Sequence, residues 1–230
     1  MPTTAVRLLC GIAAAAALAP RAAPRPGTKL AAATADPAVA SRAAFDDVVQ
    51  KTYGRYPVTI VRGSGCELED DAGNTYLDFV AGISTCCLGH GDPRLVEAIT
   101  TQIQQVHHVS NLYYIPNQGE LAKWLVANTN GLDKAFFCNS GGEANEAAIK
   151  LARRFGHQKG IETPHMIVLD GAFHGRTVGA LSATGNQKIR QGFGPLLEGF
   201  LHVPPNDLSA IDALADSRAD IAAIMVEPIM

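Results

Sequence analysis

Three short stretches carry residue types and spacings that point to chemistry. In the first, an apolar run (Ala135, Phe136, Phe137) breaks at Asn139-Ser140-Gly141-Gly142 and opens at once into a helical pattern. A helix start leaves backbone N–H groups unpaired at the positive end of the dipole. The two glycines let an anion approach them, a geometry that suits a phosphate. The same residues also read as a plain glycine-rich turn with Ser140 as its cap. They do not form a P-loop, because no Lys-Ser or Lys-Thr pair follows the glycines. Glu143 and Glu146 suit the helix dipole without any ligand and are assigned a structural role.

The second stretch, Asp170-Gly171-Ala172-Phe173-His174-Gly175-Arg176-Thr177, crowds an aromatic ring, an imidazole and a guanidinium into one loop. Phe173 can lie flat against a heteroaromatic ring, and Arg176 can grip a carboxylate with its planar fork of donors. The plainer alternative makes Phe173 a loop anchor and Arg176 half of a structural ion pair. His174 reads as a hydrogen-bonding partner and not as a base. The third feature is Glu227, between an apolar strand and Pro228, read as a turn cap or as a support behind the site.

The elements that must position these residues follow from periodicity and punctuation. Short strands are expected at 57–61, 66–69 and 75–79, the last two joined by the turn Asp70-Asp71-Ala72-Gly73-Asn74. Asp92-Pro93 caps a helix running to about Val106, with Leu95, Val96, Ile99, Ile103 and Val106 near helical spacing. A second helix is expected after the cap Asn117, with Leu121, Trp124 and Leu125 turned inward and a stop at Asn130-Gly131. Beyond it the rhythm is strand, loop, helix. A buried strand is expected at 134–138 and a helix at 143–155, with Ala144, Ala147, Ala148, Leu151 and Phe155 on one side. Strands follow at 166–169 and 221–226, with a short helix between them capped by Asp207 or Ser209. Apolar strands alternating with helices imply a mostly parallel sheet covered on both faces, with ligands bound beyond the carboxyl ends of its strands. The three stretches above fall at those ends.

Composition narrows the class. The chain has 230 residues, 47% hydrophobic and 18% charged, with a net charge of −3, so it can bury a substantial core and offers no basic face for nucleic acid. No apolar run reaches the roughly 18–20 residues that span a bilayer. Five cysteines without C-x-x-C spacing read as free thiols in a reducing compartment, with no metal site. Residues 1–44 carry Arg7, Arg21, Arg25, Lys29 and Arg42, are rich in alanine, and contain no acid before Asp36; they read as a transit peptide to mitochondrion or plastid, with a secretory signal as the rival. Residues 45–106 and 107–230 are the two expected domains. The end at Met230 leaves a three-strand sheet with an open edge, so the sequence reads as a fragment.

The motifs also occur together in a known order. Leu88-Gly89-His90-Gly91-Asp92-Pro93, Ser110-Asn111-Leu112-Tyr113-Tyr114, Asn139-Ser140-Gly141-Gly142-Glu143-Ala144-Asn145-Glu146-Ala147, Ala172-Phe173-His174-Gly175-Arg176-Thr177, Gly192-Phe193-Gly194-Pro195 and Val226-Glu227-Pro228-Ile229 closely resemble class III pyridoxal-phosphate aminotransferases, from about Tyr53 to Ile229. The resemblance implies an α/β fold, the type I fold of pyridoxal 5'-phosphate-dependent transferases, here truncated. The chain would hold the N-terminal part of the small domain plus the first strands and helices of the large, mostly parallel-sheet domain. It further implies that Ser140, Gly141 and Gly142 hold the cofactor phosphate, that Phe173 stacks on the pyridine ring, and that Arg176 binds the substrate α-carboxylate, with Asn111 near the site.

The implied reaction moves the δ-amino group of N-acetylornithine to 2-oxoglutarate in arginine biosynthesis, in a homodimer. Ornithine, succinylornithine and 4-aminobutyrate are alternative donors on the same scaffold, and a non-catalytic cofactor-binding or dimerisation fragment is the alternative of another class. Three departures stand out: Gly142 replaces the usual Thr or Ala, Ser84-Thr85-Cys86-Cys87 replaces a run usually reading Ala-Val-Asn and a small residue, and Met230 stands where the family continues. The family's Schiff-base lysine would lie past Met230. None of Lys29, Lys51, Lys123, Lys134, Lys150, Lys159 and Lys188 sits in a matching context, so these 230 residues alone are expected to be inactive.

Overall fold

The computed structural model describes residues 42–230. They fall into two units, 42–114 and 115–230. The expected leader lies outside the described residues except for Arg42, Ala43 and Ala44, which begin α1 (Arg42–Val48).

The first unit is built on an antiparallel meander, β1 (Ile60–Ser64), β2 (Glu67–Asp70) and β3 (Thr75–Leu77), in the order β1-β2-β3. Asp70 makes its tight turn: the carboxylate accepts from the Ala72 and Asn74 N–H groups, the Asn74 side chain and the Tyr76 hydroxyl at 2.8–2.9 Å. The Asn74 side chain leads the interactions that hold its pKa down at about 2. The first strand starts at Ile60, three residues later than expected, and the third ends at Leu77, leaving Phe79 90% exposed. After β3, Asp78 accepts from the N–H groups of Val80 and Ala81 and pairs with His90 Nε2 at 2.7 Å. Between these anchors, α2 (Ala81–Ser84) winds left-handed, with φ of 47°, 61°, 58° and 62° at Ala81, Gly82, Ile83 and Ser84. For a β-branched residue such as Ile83 this is strained backbone. The helix α3 (Pro93–Gln105) starts where Asp92-Pro93 predicts, the Asp92 carboxylate accepting from the N–H groups of Arg94 and Leu95.

The second unit holds a three-stranded parallel sheet of order β5-β4-β6, formed by β4 (His165–Leu169), β5 (Phe200–Val203) and β6 (Ile221–Met225). Before the sheet come α4 (Pro116–Ala127) and α5 (Gly141–Gln158); α6 (Val178–Ala183) and α7 (Gln187–Arg190) join β4 to β5, and α8 (Leu208–Ser217) joins β5 to β6. The α8 helix is capped by Asp207, whose carboxylate takes the Ala210 N–H at 3.0 Å. The core gathers Ile149 of α5, Met166 and Val168 of β4, and Ala183 of α6, with Ala152, Phe200, Ala223 and Met225 packed around it.

Five expectations are corrected here. Residues 134–138 form no strand: they pair with none of the described strands, and Phe136 is 70% exposed. A strand needs a neighbour to satisfy its backbone N–H and C=O groups, and the third strand of the sheet is instead β5, whose four residues carry a histidine in mid-run. The α4 helix begins at Pro116, one residue before Asn117 and without a side-chain cap, because proline at the first helical position dispenses with an N–H that would be unpaired anyway. It ends at Ala127, where Asn128 Nδ2 donates to the Trp124 carbonyl, and Leu121 is exposed. The buried face of α5 runs through Ala148, Ile149 and Gly156, not through Leu151, which is 55% exposed. Gly156 lies so close to Pro164 and Ala222 that a Cβ there would come within 2.7 Å of the proline ring, so this face is chosen by close approach to the sheet.

Candidate functional site

Ser140 sits in extended backbone (φ −156°, ψ 161°) ahead of the 18-residue α5, and its Oγ accepts the Glu143 N–H at 3.2 Å. The first intrahelical bond runs from the Ala144 N–H to the Ser140 carbonyl at 3.0 Å, so the N–H groups of Gly141 and Gly142 precede the helical ladder. Glu143 folds back and accepts from the Asn139 N–H at 2.8 Å and from its side-chain amide, which locks the entry into the turn. A Cβ on Gly142 would find ordinary contacts, 3.7 Å to Thr177 Cγ2 and 3.8 Å to Ser140 Oγ, so the position has room for a side chain but lacks one. What remains is a shelf with a hydroxyl and two N–H donors unspent among the described residues, suited to a phosphate.

Local sequence does not reveal how firmly the loop after β4 is held against this shelf. Gly175, with φ +135°, lies so near that a Cβ would be 3.3 Å from Gly142 Cα and 2.9 Å from Ala180 Cβ. The Asn145 side-chain amide donates to the His174 carbonyl, and the His174 N–H donates to Thr184 Oγ1 at 3.0 Å. Glu146, on the same helix, accepts from the Thr177 hydroxyl and, at 3.0 Å, from the Ala180 N–H. It thereby caps α6, whose own N-cap residue Thr177 makes no side-chain cap. From the end of β6, Glu227 Oε2 accepts the Phe173 N–H at 2.8 Å.

The three predicted stretches therefore meet at the carboxyl ends of β4 and β6. Phe173 keeps 43% of its surface exposed, and the Arg176 guanidinium carbon lies 5.8 Å from its ring centroid. Glu143, Glu146 and Glu227 act as acceptors for backbone and side-chain donors. His174 is buried, with Nε2 unpartnered among the described residues. Burial is the main force pushing its pKa below the ordinary value, against the pull of Glu227 and with the push of His202. With Nε2 enclosed, the imidazole offers no exposed nitrogen to a ligand on the shelf. Asn111 belongs to the first unit, after α3. Sequence reasoning did not single out Asn145 or Thr184; their signal is long-range, since each contacts His174 across 29 and 10 residues.

Together these groups offer phosphate donors, an aromatic face and a guanidinium on one open shelf. Two clefts of about 640 and 670 Å³ lie elsewhere, one lined by Gln187, Lys188 and Arg190 and the other by Lys159, Glu162 and Arg218. Residues 48–230 match the family model "Aminotransferase class-III". The chain belongs to the class-III aminotransferases. It is 56% identical over 191 residues to an acetylornithine aminotransferase of Thermosynechococcus vestitus, covering 81% of this chain and 46% of the relative. Among solved structures, it is similar to the ornithine aminotransferase of Toxoplasma gondii, at a TM-score of 0.75 and 31% identity over 82% of this chain and 45% of that one. It is also similar to an N-acetylornithine aminotransferase of Stenotrophomonas maltophilia, at a TM-score of 0.61 and 34% identity over 77% and 43%. The chain spans about half the length of the relatives it matches.

Proposed function

We propose that this chain forms part of a pyridoxal-phosphate-dependent aminotransferase that moves the δ-amino group of N-acetylornithine to 2-oxoglutarate, in arginine biosynthesis. The observation that carries the reading is the packing of Gly175 against Gly142, which brings the Phe173–Thr177 loop onto the Ser140–Gly142 shelf. Ser140 Oγ and the N–H groups of Gly141 and Gly142 hold the cofactor phosphate, Phe173 lies against the pyridine ring, and Arg176 takes the α-carboxylate of the amino donor. When bound, the cofactor supplies an electron sink for bonds to the amine-bearing carbon. The choice of donor is supported by relatives named for acetylornithine at 50–56% identity. The test is an assay of the full-length gene product with acetylornithine, ornithine, succinylornithine and 4-aminobutyrate, each with 2-oxoglutarate. A clear kcat/KM preference for acetylornithine is the expected result, and its absence removes the substrate assignment.

The working protein is a homodimer, as sedimentation of the full-length product is expected to register. The Arg-rich stretch before Asp36 directs it to mitochondrion or plastid. Residues 1–44 fused to a fluorescent reporter should enter one of these organelles; secretion of the reporter would discard that reading.

A further inference from the structure

We propose that Glu227 is a positioning residue for the aromatic face: its carboxylate sets the ring of Phe173 by holding the amide of the Ala172–Phe173 peptide. The inference deepens the cofactor reading given above and rests on it. The Glu227 Oε2 to Phe173 N–H bond, at 2.8 Å, spans 54 residues and links the segment after β6 to the loop after β4. Those two strands pair directly, Val168 opposite Met225, so the acceptor and the loop share one rigid frame.

The loop needs such a tie at this point. Gly171, with φ +80°, begins it with a conformationally permissive residue. From His174 onward the backbone is already pinned, the His174 N–H by Thr184 Oγ1 and its carbonyl by Asn145. Upstream, Ala172 is buried, and its carbonyl accepts from the Gly185 N–H at 2.8 Å. That carbonyl and the Phe173 N–H belong to one peptide plane, so Gly185 and Glu227 hold it from opposite sides. If Glu227 is lost, the plane is held at its carbonyl alone and can pivot about that single bond, and the Phe173 side chain pivots with it. A charged acceptor on a backbone N–H is also roughly twice as strong as a neutral one, which suits a group that must fix an angle. Glu227 touches neither the Ser140–Gly142 shelf nor the Phe173 ring in any hydrogen bond or ring contact of the described residues, so it acts through the peptide.

The experiment compares two probes on the full-length gene product in its cofactor-free form. Pyridoxine 5'-phosphate carries the ring and the phosphate but no aldehyde, and inorganic phosphate carries no ring. Both are titrated calorimetrically. Glu227→Ala should weaken pyridoxine 5'-phosphate about tenfold, leave inorganic phosphate within about twofold, and add nothing when combined with Phe173→Ala. Glu227→Gln, which keeps a carbonyl acceptor, should restore most of the affinity. If the alanine variant does not fold, Glu227→Met fills the same space without an acceptor and is read against Glu227→Gln. Wild-type affinity in Glu227→Ala, with Phe173→Ala still weak, overturns the positioning role and leaves the cofactor reading intact. Equal weakening of both probes also overturns it, since that marks general collapse of the shelf. If Phe173→Ala itself has no effect on pyridoxine 5'-phosphate, the cofactor reading falls, and this inference with it.

Discussion

The pair Glu146 and Gly179 allows a sign-reversal test of how the candidate site is assembled. Glu146 accepts from the Thr177 hydroxyl and the Ala180 N–H, and so caps α6 from a different helix. Replacing a capping acceptor by alanine costs about 1 kcal/mol, and losing the second hydrogen bond adds about as much, so Glu146→Ala should destabilise by about 2 kcal/mol. A Cβ built on Gly179 would stand 2.5 Å from Glu146 Oε2, 2.7 Å from Oε1 and 2.9 Å from Cδ. Gly179→Ala must therefore expel the carboxylate, forfeiting that 2 kcal/mol while regaining about 0.5–1 kcal/mol of helix propensity. The net expectation in the wild-type background is a loss of about 1–1.5 kcal/mol. In a Glu146→Ala background the obstacle is gone, and the same Gly179→Ala change should stabilise by about 0.5–1 kcal/mol. The coupling of about 2 kcal/mol is well above the roughly 0.3–0.5 kcal/mol scatter of additive sites. Urea unfolding of the four chains of this cycle measures it. Gly179→Ala destabilising equally in both backgrounds would refute the claim that Glu146 is the α6 cap.

Three further outcomes are expected. Gly175→Ala combines a disallowed φ of +135° with contacts of 2.9 Å and 3.3 Å; it should cost about 2–4 kcal/mol of unfolding free energy and abolish pyridoxine 5'-phosphate binding by lifting the loop off the shelf. Ser140→Ala removes the acceptor of the Glu143 N–H and a hydroxyl from the shelf, so it should cost about 1 kcal/mol in urea unfolding and weaken inorganic phosphate, which Glu227→Ala leaves alone. Stability should also fall as pH drops below the ordinary histidine value of 6.5. Burial holds His174 below that value, helped by His202 and opposed by Glu227. Burial and Arg190 do the same for His202, opposed by the Ser182 hydrogen bond and Asp170. The unfolded chain then binds protons that the folded chain refuses, so the loss begins near 6.5 and ends below the two folded values. A His174→Gln, His202→Gln chain whose thermal midpoint keeps the same slope between pH 7 and 5 would contradict this.

Much of the local structure was legible in the sequence, because its causes lie within a few residues. Asp92 and Ser140 announce helix starts through side chains that accept N–H groups two or three positions on, and Asp70 announces its turn in the same way. The apolar runs at 166–169 and 221–226 became β4 and β6, and the three chemistry-bearing stretches fell at strand ends where such sheets bind ligands. By contrast, α6 was invisible: all five residues from Gly179 to Ala183 are buried, so no apolar stripe alternates with a polar one. The run 134–138 has the composition of a buried strand, but strand formation depends on a neighbour that local residues do not specify.

Residue types alone determined which groups can bind what: a hydroxyl and glycine amides for a phosphate, a phenyl ring for a heterocycle, a guanidinium for a carboxylate. Only the tertiary structure decided that Glu146 caps a helix 34 residues away, that Asn145 holds the His174 carbonyl, and that Glu227 holds the Phe173 amide. The physical reason is reach. A cap or a turn is closed by a side chain on its own segment, whereas the partner of a loop amide is whatever chain packing brings within about 3 Å, and separation in sequence carries no information about that distance.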